Sequence, residues 1–214
     1  MAAKVKRTRR YDLTRRQDGA QRRRAAIVES AGRLFLREGY VGTTIAKIAG
    51  EAGVSEETVY KAFGNKIALV RAIRDRALAG AGPVHAERRS DRMQARENDP
   101  RRIIRAWGVL TMEVAPRVAP VLLLLRQAAA SDRELAKLQA EMDAARLTRM
   151  THNAQTLLKG GHLRPGIDLD EAADVLWTYS SPELYELFVV RRGWTVERYG
   201  RFVADAMIAA LLPS

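Results

Sequence analysis

Apolar residues recur along almost the whole chain at spacings of three and four, and no stretch alternates with period two. That periodicity describes amphipathic helices and leaves no strand to build a sheet. The predicted fold class is therefore all-α, with about nine helices in 214 residues. Ile27, Ala31, Leu34 and Phe35 form the first stripe, which Gly39 ends. Ile45, Ile48 and Ala49 form a second, capped by Thr43 or Thr44 and stopped by Gly53. Ser55 caps a third short helix with Val59 and Phe63 inward, and Asn65 caps a fourth with Leu69, Val70 and Ile73.

Further along the pattern is less even. Residues 84–98 are polar with little periodicity and are expected to be a loop or frayed helix. Asp99-Pro100 is a cap with proline at the first helical position, and Pro116 and Pro120 are expected to interrupt the helix that starts there. Ser131 to Glu134 reads as a capping box for the longest helix, which Gly160-Gly161 ends. Asp168, Ser181 and Thr195 each start a further helix, the last running to Leu212.

Charge divides the chain differently. The net charge is +12, and residues 1–24 hold ten basic and two acidic residues. That segment has too little apolar content to offset its ordering entropy, so residues 1–20 are expected to be a disordered basic arm. Residues 21–78 and 79–214 are expected to form two domains, and the charge beyond residue 24 is near balance. The absence of cysteine excludes disulfides, thiol catalysis and Cys-zinc sites. No apolar run approaches the ~18 residues of a membrane span, and the charged N-terminus is no secretory signal. A cytoplasmic, basic protein is expected, with nucleic acid as the acidic partner and no membrane. His85, His152 and His162 share no metal-ligand spacing with one another. No phosphate loop or nucleophile elbow is present, so neither catalysis, metal nor cofactor is expected.

Three short helices within about 40 residues, with a tight turn between the second and third, describe a helix-turn-helix. Ala49 is small where two helices cross, Gly53 permits a left-handed exit, and Val54 plugs the corner. The third helix then offers Ser55, Glu56, Thr58, Tyr60 and Lys61 outward. The stretch Phe35, Gly39-Tyr40, Thr43-Thr44, Ile48-Ala49, Gly53-Val54-Ser55, Thr58, Tyr60, Phe63, Lys66 and Leu69 resembles the tetracycline-repressor (TetR/AcrR) family of bacterial regulators. The resemblance covers about 50 residues. Ala62 departs from it, where the family often has His or another polar group.

The resemblance implies a homodimer with an N-terminal DNA-binding domain and a C-terminal domain for dimerisation and a small-molecule effector. Thr44, Tyr60 and Lys66 are then expected at phosphates, with Lys47 beside them; Ser55, Glu56, Thr58 and Lys61 are the candidates for base edges. Glu56 and Glu57 are better explained by the positive end of the helix dipole. The arm either adds non-specific affinity or tracks the minor groove.

In the second half, Trp107, Leu110, Leu122, Met150, Gln155 and Trp177 are candidate ligand contacts, with a largely apolar effector expected. Met112 would add adaptable packing, and Thr151, His152 and Asn153 a few polar groups. The last helix is apolar nearly all round, so one side is expected to meet a partner subunit, with Val203, Met207 and Leu211 as candidates. A ligand-responsive repressor of a near-palindromic operator is the leading expectation. The alternative is a helical nucleoid-type protein that binds DNA without sequence choice or effector.

Overall fold

The computed structural model describes residues 2–80, 82 and 84–214, with side chains from residue 18 onward. Every regular element among them is helical. The elements are α1 (Ala2–Gly42), α2 (Ile45–Ala52), α3 (Glu56–Phe63), α4 (Lys66–Ala79), α5 (Ala86–Gln94), α6 (Pro100–Ala129), α7 (Arg133–Lys159), α8 (Leu169–Tyr179), α9 (Pro182–Tyr185), a π-helical turn (Glu186–Arg191) and α10 (Val196–Leu211). They fall into two compact units, residues 1–73 and 74–214, and the division lies inside α4.

In the first unit, Ile27, Ala31, Leu34 and Phe35 of α1 are buried, as are Ile48 and Ala49 of α2, Val59 of α3, and Leu69 and Val70 of α4. Gly39 leaves the helical conformation at φ 74° within α1. The backbone of residues 2–17, in the segment expected as a disordered arm, is helical and continuous with α1. Arg, Lys, Gln and Ala are good helix formers, and Gly19 is the first glycine in the chain.

The second unit departs from the sequence reading at four places. Residues 86–94, expected as a loop or frayed helix, form the regular helix α5, whose inward face is small and polar. Ala86, Ser90 and Gln94, spaced by four, are buried, and apolar periodicity does not register such a face. Pro116 and Pro120 lie inside an unbroken α6. They are four residues apart, so both missing N–H groups fall on one face, and the Glu113 carbonyl beside the first gap accepts from the Arg117 guanidinium. Asp132, not Ser131, caps α7, accepting from the backbone N–H of Glu134 at 2.9 Å. Finally, Val203, Met207 and Leu211 are 0–4% exposed within this unit's own core. They face neighbours in the same chain, so the expectation that they meet a partner subunit is corrected.

α6 is the one helix among the described residues long and apolar enough to cross a membrane. Its apolar residues are used within this unit: Ile103, Ile104 and Ala119 are core. Leu110, Val114 and Leu122 border a cavity.

Candidate nucleic-acid interface and internal cavity

The turn between α2 and α3 is built by caps. Thr44 accepts from the Lys47 backbone N–H at 3.2 Å and starts α2. Gly53, at φ 65°, ends it in the left-handed region, where its N–H and that of Val54 reach back to the Gly50 and Ala49 carbonyls. Ser55 accepts from the Thr58 N–H at 3.2 Å and starts α3. Its hydroxyl also lies 2.8 Å from the Thr58 hydroxyl, so both side chains are held in one arrangement.

With Val59 as the buried anchor of α3, the side chains of Ser55, Glu56, Glu57, Tyr60 and Lys61 are exposed and Thr58 is half-buried. Tyr60 is 52% exposed, a large aromatic ring left in water on a short helix. Glu56 and Glu57 occupy the first turn, where the helix dipole favours anions. Glu57 also pairs with Lys61 at 2.7 Å; both are about three-quarters exposed, so the pair is weak and separable. Arg24 holds the far end of α3, donating to the Ala62 carbonyl at 2.6 Å with its guanidinium 4.1 Å from the Phe63 ring centre.

Two lysines expected at DNA are engaged elsewhere. The Lys66 ammonium donates to the Tyr40 and Thr43 carbonyls at 2.8 Å each and stands 4.2 Å from the Tyr40 ring centre. It ties α4 to the last turn of α1, which corrects the expectation of an ammonium presented to phosphate. Lys47 donates to Glu38 at 2.7 Å and to the Gly42 carbonyl at 2.9 Å. Glu38 also pairs with Arg37, and Glu51 joins Arg37 to Arg33. This chain of charges fastens α2 to α1. The Lys47 ammonium, followed by Arg37, holds the Glu38 carboxyl below the usual carboxylate range.

The second unit holds a half-open cavity of about 830 Å³, within the range of about 300–1,000 Å³ that small-molecule sites occupy. Of the residues expected there, Trp107, Leu110, Leu122 and Met150 line it, together with His152 and Asn153. Gln155 and Trp177 do not. On α7 the lining face runs through Met142, Arg146, Arg149 and Asn153; Gln155, two residues on, is turned about 200° away. On α8 Leu176 lines the cavity, while the next ring, Trp177, takes the Arg146 guanidinium at 4.2 Å. Tyr185 and Tyr199 also line the cavity, their rings edge to face at 5.6 Å. Burial pushes both phenols above their ordinary range, so both stay protonated at neutral pH.

The sequence reading missed the cavity's cations. Arg74, Arg146 and Arg149 line it against a single carboxylate, Glu87. Each arginine sits on a helix among apolar neighbours, and nothing in the apolar pattern marks which face it takes.

Comparison with known proteins gives three results. Residues 27–73 match the model of bacterial regulatory proteins of the tetR family. The regulator TtgR of Pseudomonas putida is 44% identical over 63 residues, and the uncharacterised regulator YvkB of Bacillus subtilis 34% over 65. The chain spans about a third of the length of these curated relatives, 30% and 34% respectively. Among solved structures, NalD of Pseudomonas aeruginosa, described as the secondary repressor of a multidrug efflux pump, aligns over 91% of this chain and 99% of its own. Its TM-score is 0.71 and its identity 20%. A complex of SmeT with triclosan aligns over 90% and 92%, with a TM-score of 0.70 and 22% identity. FadR of Bacillus subtilis, solved with stearoyl-CoA, aligns over 86% and 97%, with a TM-score of 0.70 and 18% identity. At these identities the structures establish the fold, and residues 27–73 are similar to the helix-turn-helix segment of the tetR family of bacterial regulatory proteins.

Proposed function

We propose that this protein is a cytoplasmic, ligand-responsive transcriptional repressor that binds a near-palindromic operator as a homodimer. The observation that carries the reading is the capped α3 with its exposed row Ser55, Glu56, Tyr60 and Lys61, in a chain whose other unit holds a cavity of ligand size. Ser55, Thr58 and Lys61 read base edges, and Tyr60 and Thr44 hold phosphates. Glu56 stays a base-edge candidate beside its role at the helix dipole. Lys47 and Lys66 position the two helices rather than touch DNA. The basic arm adds sequence-independent affinity.

Dimerisation uses the side of the second unit that its core leaves uncovered. Leu187 and Val190 on the π-helical turn are 47% and 63% exposed, large apolar groups with no core to join. The effector occupies the cavity. Arg74 and Leu78 on the second half of α4 line it, while Leu69 and Val70 on the first half are core of the DNA-binding unit. A ligand that binds a different placement of α4 more tightly changes the spacing of the two reading helices and releases the operator. Efflux-pump repression by NalD, and triclosan bound to SmeT, are consistent with such a role.

The test is operator affinity measured with and without a compound shown to occupy the cavity. Release by that compound supports the reading. A set of cavity ligands that all leave affinity unchanged overturns it.

A further inference from the structure

We propose that the cavity of the second unit takes an amphipathic anion: an apolar body with a carboxylate-like or sulfonate-like head held by Arg146 and Arg149. The inference rests on the reading of that cavity as an effector site and adds the chemistry of the effector.

Arg146 and Arg149 stand one turn apart on α7, between Met142 and Met150, and all four line the cavity. The two arginine side chains are 14% and 17% exposed, whereas their partners Asp143 and Asp91 are 42% and 46% exposed. The carboxylates therefore stand in water on the outer side, where solvent screens them, and do not border the cavity. The cations form its wall.

Neither guanidinium is satisfied. Arg146 donates through Nη1 to the Trp177 carbonyl at 2.5 Å and to Ser180 at 3.2 Å, and reaches Asp143 only at 3.4 Å. Its Nε is buried without a partner. Arg149 donates through Nη1 to Asp91 at 2.7 Å, and its Nη2 is buried without a partner. The indole N–H of Trp107, also of the lining, is a third buried donor with none. All three are donors. Buried donors left unmatched are costly. These three are closed off from the cavity as it stands, so an anionic head draws on them only when the side chains turn toward it, and then supplies the acceptor lone pairs that the protein does not.

The rest of the lining agrees apart from Glu87, one carboxylate against the three arginines Arg74, Arg146 and Arg149. The Tyr185 and Tyr199 phenols keep their protons, and His152 and Asn153 add polar groups beside Arg149. Leu110, Val114, Leu122 and Leu176 make other parts of the wall apolar. An expectation of a largely apolar effector is thus met over most of the wall and fails at the α7 end.

Two fluorophores that differ in one charged group decide the matter. 8-Anilino-1-naphthalenesulfonate carries the anion, and N-phenyl-1-naphthylamine lacks it. Each is titrated into the full chain, with displacement by dodecanoate as the competition. We expect the sulfonate to bind at least tenfold more tightly than the neutral dye. In Arg149→Gln and Arg146→Gln the advantage falls to under threefold, while neutral-dye affinity moves less than twofold. That unchanged affinity also reports that the variants are folded. Equal or tighter binding of the neutral dye to the native chain overturns the anionic head and leaves an apolar effector site standing. Binding of neither dye overturns both.

Discussion

Gly108 of α6 and Gly200 of α10 meet where the two helices cross, so closely that a β-carbon on Gly108 would lie 2.7 Å from the Gly200 carbonyl oxygen. The same β-carbon would stand 2.8 Å from the β-carbon of Ala204. Neither neighbour is a flexible side chain, so the helices must part to admit it. Alanine gains about 1 kcal/mol in helix propensity over glycine. Overpacking of about 1–3 kcal/mol exceeds that gain. Gly108→Ala is expected to lower the thermal midpoint of the second unit. Gly200→Ala, whose β-carbon would press on the Met112 Cγ and lie 2.9 Å from the Gly108 carbonyl oxygen, is expected to be destabilising as well. A stabilised Gly108→Ala would mean the crossing is looser than the structure has it.

The Glu38 carboxyl gives a pH dependence with a definite sign. Its folded pKa is lowered, first by the Lys47 ammonium and then by Arg37. A lowered carboxylate contributes stability that is present above its unfolded value, about 4.3, and is lost as pH falls through the folded value. The native chain should therefore be more stable than Glu38→Gln near neutrality, and the gap should close as pH falls below about 4. Thermal unfolding of both proteins across that range checks this. A gap that stays constant with pH would remove Glu38 as the titrating group.

Lys61 and Lys66 separate by salt. If Lys61 pairs with a phosphate, Lys61→Ala should flatten the log–log salt slope of operator binding by about 0.9. Lys66→Met leaves two carbonyls without their donor and should cost about 1–3 kcal/mol of stability with the slope unchanged. Fluorescence anisotropy at several salt concentrations, beside a thermal melt, reads both. A flatter slope in Lys66→Met would return that lysine to the phosphates.

The dimer surface is open to a direct test. Leu187→Glu with Val190→Glu places two carboxylates on the exposed turn. Light scattering should then report a monomer with an unchanged helical spectrum. Val203→Ala, in the core, should lower stability by about 1.5–3 kcal/mol and leave the dimer intact. A double variant that remains dimeric would place the interface elsewhere.

How far the sequence foretells this fold depends on what kind of signal each part carries. The Thr44, Ser55, Asp99, Asp168, Ser181 and Thr195 caps were readable because a short acceptor before an apolar run has one local use. Gly53 was readable for a similar reason. α5 was not, since Ser90 and Gln94 are buried by hydrogen bonds to each other and to Asn153, a residue 59 positions away. The two faces of α10 were recognised as two. Which one carries Val203 and Met207 inward depends on α6 and α8, and periodicity does not encode that choice. Lys66 resembles a phosphate ligand by position, and only the fold brings the Tyr40 and Thr43 carbonyls to it. The +12 charge pointed to DNA, yet α3 relies on caps and a few placed side chains, with Lys61 its one basic residue.

The central claim is that α3 reads sequence, and selection of bound duplexes from a randomised library tests it most directly. The native chain should enrich one inverted repeat whose half-sites lie about one helical turn, roughly 34–36 Å, apart. The triple variant Ser55→Ala, Thr58→Ala, Lys61→Ala should retain salt-sensitive binding and lose the enrichment. A native chain that binds duplex DNA tightly and enriches no motif would contradict the account and leave a sequence-tolerant DNA-binding protein in its place.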